Sequence, residues 1–115
     1  ITMPEIYDRL NPTDALSKWD FSNYVPDIVV VNLLQNDSWL VNLPKRDGFK
    51  VKFGTTAPND DYIITAYKKF VLTLRKHYPE THIICVLGSM DATKKESKWV
   101  DYVKQAANEM HDKKI

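Results

Sequence analysis

Ile28-Val29-Val30-Val31-Asn32-Leu33-Leu34-Gln35-Asn36-Asp37 is the stretch that settles the architecture. Residues 28–34 are β-branched or apolar almost throughout and lack the alternation of a half-exposed strand, which predicts a strand covered on both faces, as in a parallel sheet. Asn32 interrupts the run and needs buried hydrogen-bond partners. A second such run, His82-Ile83-Ile84-Cys85-Val86-Leu87-Gly88, predicts a strand over 82–88. Between the two, Ile63, Tyr67, Phe70, Val71 and Leu74 recur at helical spacing behind an Asn59-Asp60-Asp61 cap, and Tyr78-Pro79 closes the pattern, so a helix is predicted over 60–77. Thr93-Lys94-Lys95-Glu96 has capping-box spacing, and Trp99, Val103, Ala106, Ala107 and Met110 form one apolar stripe, predicting a further helix over 94–112. Strand, helix, strand, helix is the order of parallel strands joined by a crossover, so the fold class is α/β, a parallel sheet with flanking helices.

Outward from this frame the chain is less regular. Segment 1–27 is polar and broken by Pro4, Pro12 and Pro26, with Tyr7, Trp19, Phe21 and Tyr24 expected to pin it to the core. Residues 35–59 show no sustained period, apart from Phe49-Lys50-Val51-Lys52-Phe53, whose alternation suggests a short edge strand. Two strands alone do not make a doubly covered sheet, and the absence of a stop signal after Met110-His111-Asp112-Lys113-Lys114-Ile115 looks like a cut. Residues 1–115 therefore read as part of a larger α/β domain, whose open sheet edges are a route to self-association.

Composition narrows the function. Sixteen Lys and Arg against fifteen Asp and Glu leave a net charge of +1, far from the basic balance that phosphate-backbone binding favours, so no nucleic-acid partner is expected. No apolar run is long enough for a membrane span or a signal peptide. The single cysteine, Cys85, lies inside an apolar run and reads as a small buried hydrophobe, excluding an internal disulfide or a cysteine metal site. No metal or cofactor is expected, and neither a GxGxxG nor a GxxxxGK[ST] loop supports nucleotide binding.

Ligands of open parallel sheets bind at the carboxyl ends of the strands, which here are Gln35-Asn36-Asp37-Ser38-Trp39 and Gly88-Ser89-Met90-Asp91. An asparagine amide at such an end can donate to a developing oxyanion; read without further context, Asn-Asp is more often simply a turn. Trp39 is either the floor of a sugar site or a residue packing the long loop. Ser38 and Ser89 lack the elbow that exposes a nucleophile, and His77, His82 and His111 do not sit at strand C-terminal ends. Trp99 reads as core, and the lysines at 94, 95, 98, 104, 113 and 114 as a solvated face.

The segment from Trp19-Asp20-Phe21 through Tyr24-Val25-Pro26-Asp27, the first strand and Gln35-Asn36-Asp37 resembles the third conserved block of SGNH (GDSL-like) hydrolases. It is most similar to the acetyl-ester-cleaving branch, carbohydrate esterase family two, in which a "WDF…Y.PD" lead-in precedes a buried strand and a GxND motif. The likeness runs on through Ala66-Tyr67-Lys68-Lys69-Phe70, Leu74-Arg75-Lys76-His77-Tyr78-Pro79 and Ile83-Ile84-Cys85-Val86-Leu87-Gly88-Ser89-Met90. The resemblance implies a flavodoxin-like three-layer sandwich and a serine esterase that removes acyl, above all acetyl, groups from carbohydrate or another small ester. It implies Asn36 as the oxyanion-hole residue and Asp37 as its support; Gln35, Ser38 and Trp39 of the same strand end are expected as substrate contacts. It also implies a secreted, periplasmic or cell-surface protein. The family's nucleophilic serine and catalytic histidine belong to blocks that do not occur in these residues. Leucine, Leu34, stands where GxND has its glycine, which alters either the loop or the pocket. That departure favours the alternative reading, a non-catalytic α/β module binding a ligand or partner at the same strand ends.

Overall fold

The computed structural model describes residues 2–41 and 46–115. Two parallel strands, β1 (Ile28–Asn32) and β2 (His82–Val86), pair in the register Ile28 with His82 through Asn32 with Val86. Both are two residues shorter than the apolar runs, because the last residues of each turn away to form the loops at the carboxyl edge. Among the described residues before β1 lie a four-residue helix, α1 (Met3–Ile6), an isolated Arg9–Lys18 bridge and a 3-10 turn at Phe21–Asn23. Tyr7 and Phe21 do pin this segment: Tyr7 meets Phe70 edge-on at 5.2 Å, and Phe21 stacks on His77 at 3.8 Å. Tyr24 does not take part and is exposed.

After β1 come two short helices, α2 (Gln35–Leu40) and α3 (Asp47–Phe53). The second corrects the edge strand expected at Phe49–Phe53. An i, i+4 aromatic pair is satisfied by a helix as well as by a strand, and here the two rings meet at 5.2 Å while Phe53 packs edge-on against Tyr62. The long helix, α4 (Asp60–His77), has the predicted bounds. Asn59 Oδ1 accepts from the backbone N–H of Tyr62 at 2.8 Å, acidic residues occupy the first turn and basic ones the last, and Ile64, Tyr67, Phe70, Val71 and Leu74 are buried.

The last helix, α5 (Trp99–Met110), starts five residues later than its capping-box signal implied. Residues Met90–Thr93 form a 3-10 turn instead, Glu96 has φ 75°, and the Ser97 hydroxyl donates to the carbonyl of Ala92 at 2.7 Å, so Thr93 and Glu96 cannot exchange capping bonds. With no glycine to end it, α5 stops at His111 in the left-handed conformation.

Val31 and Ile83 on one face of the sheet share a core with α4 and with Tyr102, Val103 and Ala106 of α5. The Tyr102 hydroxyl donates to Asp60 at 2.6 Å, joining the start of α5 to the start of α4; burial pushes the phenol up to about 12. On the other face Ile28, Val30 and Ile84 are 55%, 60% and 46% exposed. The expected covering of both faces is thus met on one side only among the described residues.

At the amino edge of the sheet, Arg75 joins three elements. Its Nε donates to Asp112 at 2.7 Å, and one terminal nitrogen donates to the carbonyls of Tyr78 at 2.9 Å and Thr81 at 2.6 Å. Buried Thr81 in turn donates its hydroxyl to the carbonyl of Pro26 at 2.6 Å, linking the approaches to the two strands. At the opposite end, β1 leads into α2 through Leu34, whose φ of 76° and ψ of −6° put a branched residue in the left-handed region. Its side chain nevertheless packs against the core.

Two outcomes follow for stability, both measurable by urea unfolding. Arg75→Ala is expected to cost about 2–3 kcal/mol because it orphans a carboxylate and several carbonyls. Arg75→Lys should recover less than about half of that, since an ammonium cannot span the same acceptors; full recovery would show that charge alone matters. At position 34 the usual helix order should invert, with Leu34→Gly more stable than Leu34→Ala by about 1 kcal/mol, because only glycine takes a positive φ without strain.

Candidate functional site at the carboxyl edge of the sheet

Because the strands are parallel and in register at Asn32 and Val86, both loops predicted to form a site open on one edge. Asn32, expected to be buried, is exposed; its Oδ1 accepts from the backbone N–H of Gly88 at 3.0 Å and so ties the two strand tips together. The turn at Leu34 then redirects the chain into α2, which packs against the 3-10 turn at Met90–Thr93. The two strand-end loops are therefore neighbours.

Asn36 is the second residue of α2 and is exposed; no hydrogen bond among the described residues engages its carboxamide. Asp37 is exposed beside it, and its backbone carbonyl accepts from Val41 at 3.1 Å. Gln35 is half-buried, with its side chain against Gly88. Ser38 faces inward, only 5% exposed, and its hydroxyl donates to the carbonyl of Gln35 at 2.7 Å. That bond holds the first turn of α2. The half-buried Trp39 ring has the guanidinium of Arg46, the residue before α3, 5.4 Å from its centroid.

The remaining candidates lie elsewhere. His82 opens β2, and His77 ends α4, stacked on Phe21 with its Nε2 3.2 Å from the Tyr7 hydroxyl; both belong to the amino edge. A shallow groove lined by Trp19, Phe21, Val25 and His77 is at that edge too, away from Asn36. Cys85 is half-buried, and burial pushes its thiol above the usual range, which suits an unreactive packing residue. Among the described residues no cluster of three or more His, Cys, Asp or Glu is placed to hold a metal ion, and no helix is long and apolar enough to cross a membrane.

The sequence places Gly88 at the second strand end, but nothing in it indicates that Asn32 would tie the two strand tips together or that the Gln35 side chain would lie against Gly88.

No family model matches the chain. It is 37% identical over 89 residues, 76% of its length, to the cellulase/esterase CelE of Acetivibrio thermocellus, of which those residues are 9%. It is 23% identical over 114 residues to an acetylxylan esterase / glucomannan deacetylase of Cellvibrio japonicus, matching 98% of this chain and 28% of that protein. Among solved structures, a family two carbohydrate esterase from Clostridium thermocellum in complex with cellohexaose superimposes on 96% of the chain with a TM-score of 0.69 and 30% identity. The chain covers 30% of that structure, so it spans less than a third of each of these relatives. A parallel sheet with flanking helices, a strand end that resembles GxND and this set of relatives make the chain similar to a part of the family two carbohydrate esterases.

Proposed function

We propose that this chain is a section of a serine esterase that removes acetyl groups from carbohydrate, and that it supplies the oxyanion-stabilising Asn36. The observation that carries the reading is the position of Asn36: exposed, one residue into the helix that follows a parallel strand, beside a second strand tip. An amide held there by backbone can donate to an oxygen that becomes negative as an ester carbonyl is attacked. Such a donor acts without reorganising when charge develops.

In this reading a serine hydroxyl from outside the chain adds to the acetyl carbonyl while a histidine, also from outside, takes its proton. Asn36 stabilises the tetrahedral oxyanion, the sugar hydroxyl leaves with the proton, and water then hydrolyses the acyl-enzyme. Asp37, in the first turn of α2, supports the loop. Trp39 and Gln35 border the cleft on the substrate side. Leu34 keeps the left-handed turn that a glycine would adopt at lower cost, which supports retention of the loop despite the altered residue. The bare apolar face formed by Ile28, Val30 and Ile84 suits a sheet whose second layer comes from the rest of a domain about three times as long. A secreted, periplasmic or cell-surface setting suits an enzyme that acts on carbohydrate.

In the complete enzyme Asn36→Ala should lower kcat by roughly 10²–10³ with KM little changed, the pattern of a donor used only in the transition state. An unaltered kcat would leave the non-catalytic binding module as the better reading. The 115-residue chain by itself should not hydrolyse p-nitrophenyl acetate above the uncatalysed rate; turnover that persists through purification controls would mean that a nucleophile lies within it.

A further inference from the structure

Gly88 follows β2 by two residues and abuts the start of α2. Its backbone does not require glycine, since the only glycine with positive φ among the described residues is Gly54. Space requires it. A Cβ at position 88 would overlap Nε2 of Gln35 and lie 3.1 Å from its Cδ, whereas the next neighbour, Nδ2 of Asn32, is 3.5 Å away at ordinary contact. The Gln35 carboxamide alone therefore fills the volume a side chain would need.

Gln35 is thus held from two directions. The Ser38 hydroxyl donates to its carbonyl at 2.7 Å from within α2, and its side chain is seated against the tip of the neighbouring strand. That tip is itself fixed, because the N–H of Gly88 donates to Asn32 Oδ1 at 3.0 Å. The next residue after Gln35 is Asn36.

We propose that Gly88 is a positioning residue for the oxyanion site: its bare Cα seats the Gln35 carboxamide and, through it, sets the orientation of the first turn of α2 and of Asn36. The proposal rests on the reading of Asn36 as the oxyanion donor. Gly88 meets no substrate and acts through Gln35 and Asn32.

The test is a double-mutant cycle of Gly88→Ala and Gln35→Ala, followed by side-chain amide NMR of Gln35 and Asn36 in this chain and by kcat and KM in the complete esterase. Gly88→Ala should shift both side-chain amides and lower kcat about tenfold, with KM nearly constant, as expected for a misplaced catalytic group. In the Gln35→Ala background the same change should alter kcat by less than about twofold, because the displaced group is gone. An equal loss in both backgrounds would overturn the proposal by showing that glycine serves the backbone; so would an unmoved Gln35 amide in Gly88→Ala. If Gly88→Ala fails to fold, recovery of folding in the double variant supports the seat, and no recovery overturns it. Shifted amides with kcat unaltered in both Gly88→Ala and Asn36→Ala would locate the failure in the esterase reading, and the positioning role would fall with it.

Discussion

The parallel pairing of β1 with β2, clamped at both ends by side chains, is the constraint on which the site depends. At the amino edge, Thr81 reaches the carbonyl of Pro26; at the carboxyl edge, Asn32 accepts from Gly88. A slip of one residue would turn either Val31 or Ile83 away from the helices. The two clamps make that slip costly from either end, and they bring two loops far apart in sequence to one edge. α4 makes the arrangement rigid, since its buried stripe fixes its distance from the sheet and Arg75 ties its end to Asp112 and to the approach of β2.

Against this rigid base the turn into α2 is strained. A left-handed leucine costs about 1–2 kcal/mol relative to an unstrained conformation. Leu34 offsets the cost by packing its side chain on the core, which a glycine could not do. Leucine in place of the GxND motif's glycine therefore exchanges an easy turn for a packed one. Ser38 braces the same turn from inside, and the Gln35 side chain lies against Gly88.

The open face of the sheet is the counterpart of the well-packed one. Ile28, Val30 and Ile84 are side chains whose full burial would each contribute about 1.5–3 kcal/mol. Their apolar character is what removes the alternation from the strand sequences.

The sequence by itself determined the α/β class, the strand cores, the full extent of α4 and the family resemblance. Each rests on a local signal, such as the β-branched runs or the Asn59 cap with its helical stripe, that needs no distant partner. Local signals failed where two structures satisfy the same pattern: Phe49 and Phe53 pair on a helix as readily as on a strand, and Thr93 and Glu96 have capping spacing that the positive φ of Glu96 prevents from closing. Asn36 could be singled out because a motif contains it. That Ser38 turns inward, that Arg46 stands over Trp39, that Asn32 holds Gly88 and that Gly88 makes room for Gln35 were decided by tertiary structure alone, because each depends on a neighbour brought close only when the strands pair and the loops meet.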